Sequence, residues 1–247
     1  MKRLLLALAL SVALVPGFAQ KRDSVYTASE QFKFTKLIVP GVLVGAGAIV
    51  SFVPSLHETV DVGIRDRMNE LSGGTSFNLD HYLQYAPALA YGIAAPFASG
   101  QHNWKERGLA LGTSFAVMMA LVYGVKWTTG VVRPNDAGHS FPSGHSAMAF
   151  LGAELVRLEY GTWWGVLAYS AAFATGFLRI YNNWHWTSDV LAGAGVGILS
   201  AHIGYWLLPW ERKLLGIDSG QRQIALLPFA TSSPAGSCYG LSLTCNF

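Results

Sequence analysis

The chain has 247 residues, of which 51% are hydrophobic and only 13% charged, and its mean hydropathy is positive. Soluble domains carry about a quarter charged residues, so this chain lacks the polar side chains to cover a water-facing surface and reads as a membrane protein. The net charge of +3 is small and the basic residues are scattered, which argues against nucleic acid as a partner.

Residues 1–19 combine a basic start (Lys2, Arg3), an apolar run from Leu4 to Val15 and small residues at Gly17 and Ala19. That is the layout of a signal peptide, with an uncleaved signal anchor as the alternative. Residues 20–36 are polar and basic and read as an exposed lead-in. Six apolar stretches follow, at about 37–53, 80–99, 108–126, 144–159, 163–181 and 187–209. Each is near the roughly 20 residues that a helix needs to cross a bilayer. The expected fold class is therefore all-α, a polytopic membrane bundle of about six transmembrane helices over residues 37–210. Gly41 and Gly45, like Gly193 and Gly197, recur at i, i+4 and suit close helix packing in lipid.

Between the first two stretches, Val60, Ile64, Met68 and Leu71 share a helical face, with Glu58, Asp61, Arg65 and Glu70 elsewhere around it. This predicts an amphipathic connector lying in the interface and ending at Gly73-Gly74. Residues 211–247 form a polar tail in which Gln223 to Phe229 and Tyr239 to Phe247 alternate, so a β-hairpin is expected there. Both cysteines, Cys238 and Cys245, lie in that tail, and their pairing depends on the side of the membrane it occupies.

Ionisable residues at the ends of membrane helices are costly to keep and are read first as a functional site. Three segments stand out: Lys126 with Arg133-Pro134, Pro142-Ser143-Gly144-His145, and Arg179 with His185 and Asp189. Lys126 and Arg133 are seven residues apart, nearly two helical turns; arginine offers a fork matched to phosphate oxygens and lysine a point charge. Ser143 is a natural N-cap, and glycine lets the backbone come close to a ligand, so the first N–H groups of the following helix would face an anion. His185 and Asp189 share one helical face, where the carboxylate takes the proton of one imidazole nitrogen and leaves the other aimed. A metal site is the alternative reading of that pair. It is discounted because only Asp136 and Asp189 lie near, and phosphate-handling cations favour carboxylate oxygens.

In this order and spacing the residues resemble the type 2 phosphatidic acid phosphatase (PAP2) superfamily, whose pattern is K-x6-R-P, P-S-G-H and S-R-x5-H-x3-D. Lys126, Arg133 and Pro134 match the first motif, Pro142 to His145 the second, and Arg179, His185 and Asp189 the third; Leu178 departs from the usual serine. The resemblance covers about residues 80 to 210. It implies a metal-independent phosphoric monoester hydrolase, without a cofactor, acting on a membrane lipid phosphate. His185 would attack phosphorus and form a phosphohistidine, Asp189 would orient it, and His145 would protonate the departing alkoxide. Lys126, Arg133, Ser143, Gly144 and Arg179 would bind the phosphoryl oxygens. Two rivals use similar residues: a vanadium haloperoxidase-like enzyme, and a non-catalytic lipid or anion transporter.

The neighbours read as structural. His139 and Asp136 are expected in a solvated loop, Trp184 and Trp186 in an interfacial aromatic belt, and Glu154 with Arg157 as a pair three residues apart. His57, His81, His102 and His202 receive no role. Segments 20–36, 100–107, 157–162 and beyond 210 share one side of a six-span layout and hold ten Lys/Arg; Arg65, Arg67, Lys126, Arg133 and Arg179 are on the other. The positive-inside rule then turns the site toward the periplasm of a bacterial inner membrane, whereas a cleaved signal peptide would turn it inward.

Overall fold

The computed structural model describes residues 29–93 and 100–217, and the backbone of Gln223–Ser233 and Gly236–Asn246. The expected signal segment at 1–19 and the first part of the lead-in lie outside the described residues. The chain runs through α1 (Thr35–Phe52), a one-turn α2 (Pro54–Leu56), a π-helix (His57–Val62) and α3 (Gly63–Ser72). It continues with α4 (Asp80–Leu83), α5 (Ala86–Ile93), α6 (Trp104–Thr129), α7 (Gly144–Tyr160), α8 (Thr162–Tyr181) and α9 (Thr187–Leu215). Among the described residues, α1, α6 and α9 are long and apolar enough to cross a membrane. Helices α7 and α8 have 17 and 20 residues.

Helix ends follow local chemistry. Asn103 and Glu106 make a reciprocal capping box at the start of α6, and Gly130 ends it in the left-handed conformation. Ser143 caps α7 by accepting from the Ser146 N–H. The apolar stretch expected at 80–99 is not one helix. It breaks into α4 and α5 around Gln84 and Tyr85, ahead of Pro87, which has no N–H to continue the ladder.

Helix α7 is the buried centre, with Ala147, Leu151 and Leu155 fully enclosed. Helix α9 packs against α1, α6 and α7. A Cβ at Gly193 or Gly197 would run into α7 at the Ser143 or Ala147 carbonyl, and one on Gly195 would come within 2.7 Å of the Pro40 carbonyl of α1. Close packing therefore uses Gly193 and Gly197 as expected. Gly41 and Gly45 instead face open space, and Gly47 makes the approach from α1, where a Cβ would come within 2.6 Å of the Ser188 carbonyl. Ile38, Val42 and Ile49 on α1 and Val166, Phe173 and Phe177 on α8 are exposed, an apolar outer face that suits hydrocarbon.

Two further expectations are corrected. The connector after α1 does not leave Asp61 on a polar face; the π-helix buries it to 1% exposure, where it accepts from the Ser188 N–H at 2.9 Å and from the Ser188 hydroxyl. The end of the lead-in is also not wholly exposed, because Ser29 and Glu30 are buried. In the tail, β1 (Gln223–Ser233) and β2 (Gly236–Asn246) pair antiparallel, with Ser233 opposite Gly236. Cys238 and Cys245 both belong to β2. Seven positions along a strand separate their Cα atoms by roughly 23 Å, far beyond disulfide reach, so they do not bridge each other.

Candidate active site

The site lies where the C-terminal ends of α6 and α8 meet the N-terminal ends of α7 and α9. Lys126 comes from the last turn of α6, Ser143 to His145 from the start of α7, Arg179 from the last turn of α8, and Asp189 from the first turn of α9. Alternating helix direction thus brings residues of all three motifs to one end of the bundle.

His185 sits in the short α8–α9 loop and is 2% exposed. Its Nδ1 is 3.2 Å from Asp189 Oδ2. The same carboxylate oxygen accepts from the Trp186 N–H at 2.8 Å and from the Ser140 hydroxyl, whose oxygen is 3.3 Å from His185 Nδ1. With Nδ1 held in this way, Nε2 is the nitrogen left with a lone pair. Burial, followed by the positive charges of Lys126, Arg179 and Arg133, holds the His185 pKa well below the ordinary value. The ring is a neutral base surrounded by cations.

The cations are held differently. Lys126 Nζ donates to the carbonyls of His139 at 2.7 Å and Ser140 at 2.9 Å, which leaves one of its three N–H donors. Arg179 Nη1 pairs with Asp80 Oδ2 at 2.6 Å, and its guanidinium stands 5.2 Å from the Trp184 ring centroid. The Nε atoms of Arg133 and Arg179 are buried without a hydrogen-bond partner. Buried donors of this kind normally have an acceptor, and a guanidinium is shaped to donate to an oxyanion.

Ser143 does two structural jobs. Its N–H donates to the Asp189 carbonyl at 3.0 Å, and its hydroxyl accepts from Ser146, so the N–H groups of Gly144 and His145 are the donors left at the helix start. A Cβ on Gly144 would meet only Val122, at an ordinary 3.7 Å, so packing within the protein does not require glycine there. His145 Nε2 lies 3.4 Å from His81 Nδ1, with the two rings edge to face.

Several residues given no role or a bland one belong to this region. Asp80, fully buried, anchors Arg179, and His81 touches His145. His57 lies 3.0 Å from Asp61 and edge-on to Trp186. Trp186 is buried and donates to the Val132 carbonyl at 2.7 Å, so it braces the loop rather than lying in an interfacial belt. His139 is tied to the Lys126 carbonyl at 3.0 Å, while Asp136 is exposed as expected. Glu154 and Arg157 do pair, at 2.6 Å, and His202 joins them 3.0 Å from Glu154. The one available signal for Asp80 was a carboxylate at the edge of an apolar stretch.

Among the described residues no group of three or more His, Cys, Asp or Glu side chains is gathered as a metal site would need. A family model described as the PAP2 superfamily matches residues 135–213. The chain is 38% identical over 154 residues to the lipid A 1-phosphatase of Porphyromonas gingivalis, a match covering 60% of this chain and 35% of that protein. It is 32% identical over 65 residues to the undecaprenyl-diphosphatase of Sulfolobus acidocaldarius, covering 26% and 32% respectively. The chain thus spans about a third of the length of these curated relatives. Among solved structures it resembles the transmembrane PAP2 type phosphatidylglycerolphosphate phosphatase of Bacillus subtilis, with a TM-score of 0.51 and 19% identity over 74% of this chain and 99% of that one, a likeness of fold. The motif residues are gathered at one end of the bundle, and the match to the PAP2 superfamily model over residues 135–213 runs through two of the three motifs.

Proposed function

We infer that the protein is a phosphatase that removes a phosphate from a membrane lipid phosphate monoester or pyrophosphate through a phosphohistidine. The observation that carries this reading is a buried, neutral His185 with Nδ1 held by Asp189 and with Lys126, Arg133 and Arg179 around it. Nε2 attacks phosphorus while the cations and the N–H groups of Gly144 and His145 take up the oxygen charge. His145 protonates the leaving alkoxide, and water then attacks the phosphohistidine to release phosphate. The catalytic unit comprises residues 37–210 as six membrane helices, preceded by a signal segment at 1–19 and followed by a tail at 211–247. The site faces the periplasmic side of a bacterial inner membrane. The lipid A and undecaprenyl substrates named for the two relatives are the first to try.

The test is phosphate release by purified protein from a panel of lipid phosphates and pyrophosphates, with and without a chelator, beside His185→Ala. Chelator-resistant release by the wild type, absent in the variant, is expected, together with an acid-labile phosphate on the wild-type protein after quenching. Turnover by correctly inserted His185→Ala overturns the reading. A halide-oxidation assay with added vanadate and a lipid-flux assay on the variant separate the two rivals.

A further inference from the structure

Two imidazoles, not one, stand on the leaving-group side of the site. His145 Nε2 is 3.4 Å from His81 Nδ1. His81 comes from α4, outside the three motifs, and reaches the site because the chain breaks at Gln84 and Tyr85 and turns α4 onto the α8 end. It is half-buried, whereas the attacking His185 is 2% exposed. Around the pair stand Asp80, which is engaged by Arg179 at 2.6 Å and by Asn182 at 3.4 Å, and the Trp184 ring 6.2 Å from His81. The 3.4 Å contact between His145 Nε2 and His81 Nδ1 gives a proton a direct path from one ring to the other.

Resting on the phosphatase reading above, we propose that His81 is the proton reservoir for His145, a positioning residue that spares the general acid from ever becoming a free imidazolium. In the first step His185 Nε2 bonds to phosphorus and the bond from phosphorus to the leaving oxygen breaks. The leaving oxygen takes the proton from His145 Nδ1, while His145 Nε2 takes the proton that His81 Nδ1 gives up. His81, which entered as the imidazolium, is left neutral. In the second step water bonds to phosphorus, the bond from phosphorus to His185 breaks, and the water proton enters at His145 Nδ1. The proton on His145 Nε2 returns to His81, so both rings end the cycle as they began.

The leaving group decides the test. An alkoxide needs a proton to depart, and a nitrophenolate does not. Turnover of dodecyl phosphate and of p-nitrophenyl phosphate is measured between pH 5 and 9 for the wild type, His81→Gln, His81→Ala with and without added imidazole, and His185→Ala. His81→Gln is expected to lower kcat on dodecyl phosphate by about ten- to a hundredfold, with nitrophenyl phosphate nearly unchanged and KM for both retained. Imidazole restores part of the loss in His81→Ala. An equal fall on both substrates, or no fall on either, overturns the reservoir, and so does a His81→Ala defect that imidazole leaves untouched. His185→Ala keeps the two ideas apart: loss of both substrates in it upholds the phosphatase reading whatever His81 does, and activity in it removes that reading itself.

Discussion

Asp189 Oδ2 gathers three hydrogens, from Ser140, His185 and the Trp186 N–H, while its carbonyl accepts from Ser143. One residue thus sets the tautomer of the His185 ring, closes the α8–α9 loop and ties that loop to the start of α7. Asp189→Asn keeps the shape but brings two N–H donors to a point where only acceptors are wanted, so the imidazole loses its proton acceptor and favours the wrong tautomer. Turnover is expected to fall by about two to four powers of ten with the protein still folded, measured as the rate of phosphohistidine formation in a single turnover. A rate near wild type would mean that the carboxylate does not orient the ring. Asp80→Asn tests the phosphate side: Arg179 loses its anchor, and KM is expected to rise at least about tenfold, since a charge-assisted bond is worth about 1.5–3 kcal/mol. An unchanged KM would show Arg179 to be held without it. His185 and Asp189 were legible as a pair from their four-residue spacing, although His185 lies in the loop before α9 and meets Asp189 from there, not along a helical face. Asp80, His81 and Ser140 were not, because each meets its partner across at least 45 residues of sequence with no periodicity to announce it.

Helices were legible where apolar length alone decides, which is why α7 begins at Gly144 and α8 and α9 lie close to their expected stretches. Apolar length says nothing about a turn within a stretch, and so the break before Pro87, which delivers Asp80 and His81, went unseen. The connector shows the same limit. A helical wheel at 3.6 residues per turn puts Asp61 toward solvent, and the wider π-helix turns it under α9. Spacing also could not tell the two glycine pairs apart, since partner helices are invisible in it. Gly197→Ala forces a Cβ onto the Ala147 carbonyl and to 2.8 Å from the Leu151 N–H, both backbone atoms that cannot swing aside. It is expected to cost about 1–3 kcal/mol, a drop of several degrees in the unfolding midpoint in detergent. Gly45→Ala, which meets nothing within 4 Å, is expected to leave the midpoint unchanged or raise it. Equal effects would mean that α9 does not pack on α7 through this stripe.

The molecule has two polar poles separated by an apolar core. One pole gathers the ends of α6 to α9 that carry the motifs, and the opposite pole gathers the other ends with residues of the lead-in. There His102 is buried between two carboxylates, its Nδ1 2.7 Å from Glu159 Oε2 and its Nε2 2.8 Å from Glu30 Oε1. Tyr205 donates to Glu159 at 2.8 Å, and Arg212 joins Glu30 and Glu106, so one imidazole links the lead-in with α6, α7 and α9. Burial alone would lower the His102 pKa, but the hydrogen bonds its ring donates to Glu159 and Glu30 outweigh it and raise the value from 6.5 to about 9. The folded protein therefore holds this proton more tightly than the unfolded chain. The stability it contributes is fully present below pH 6.5, shrinks between there and about 9, and is gone above that. The unfolding midpoint of the wild type is expected to decline across this window, and His102→Gln, which cannot titrate, to lose that part of the slope while starting from a lower midpoint. Superimposable pH profiles for the two proteins would mean that the charge on His102 does not hold this pole together. The pole that carries the motifs supplies a control, because a neutral, buried His185 takes up no proton in that range, and His185→Ala should keep the wild-type slope.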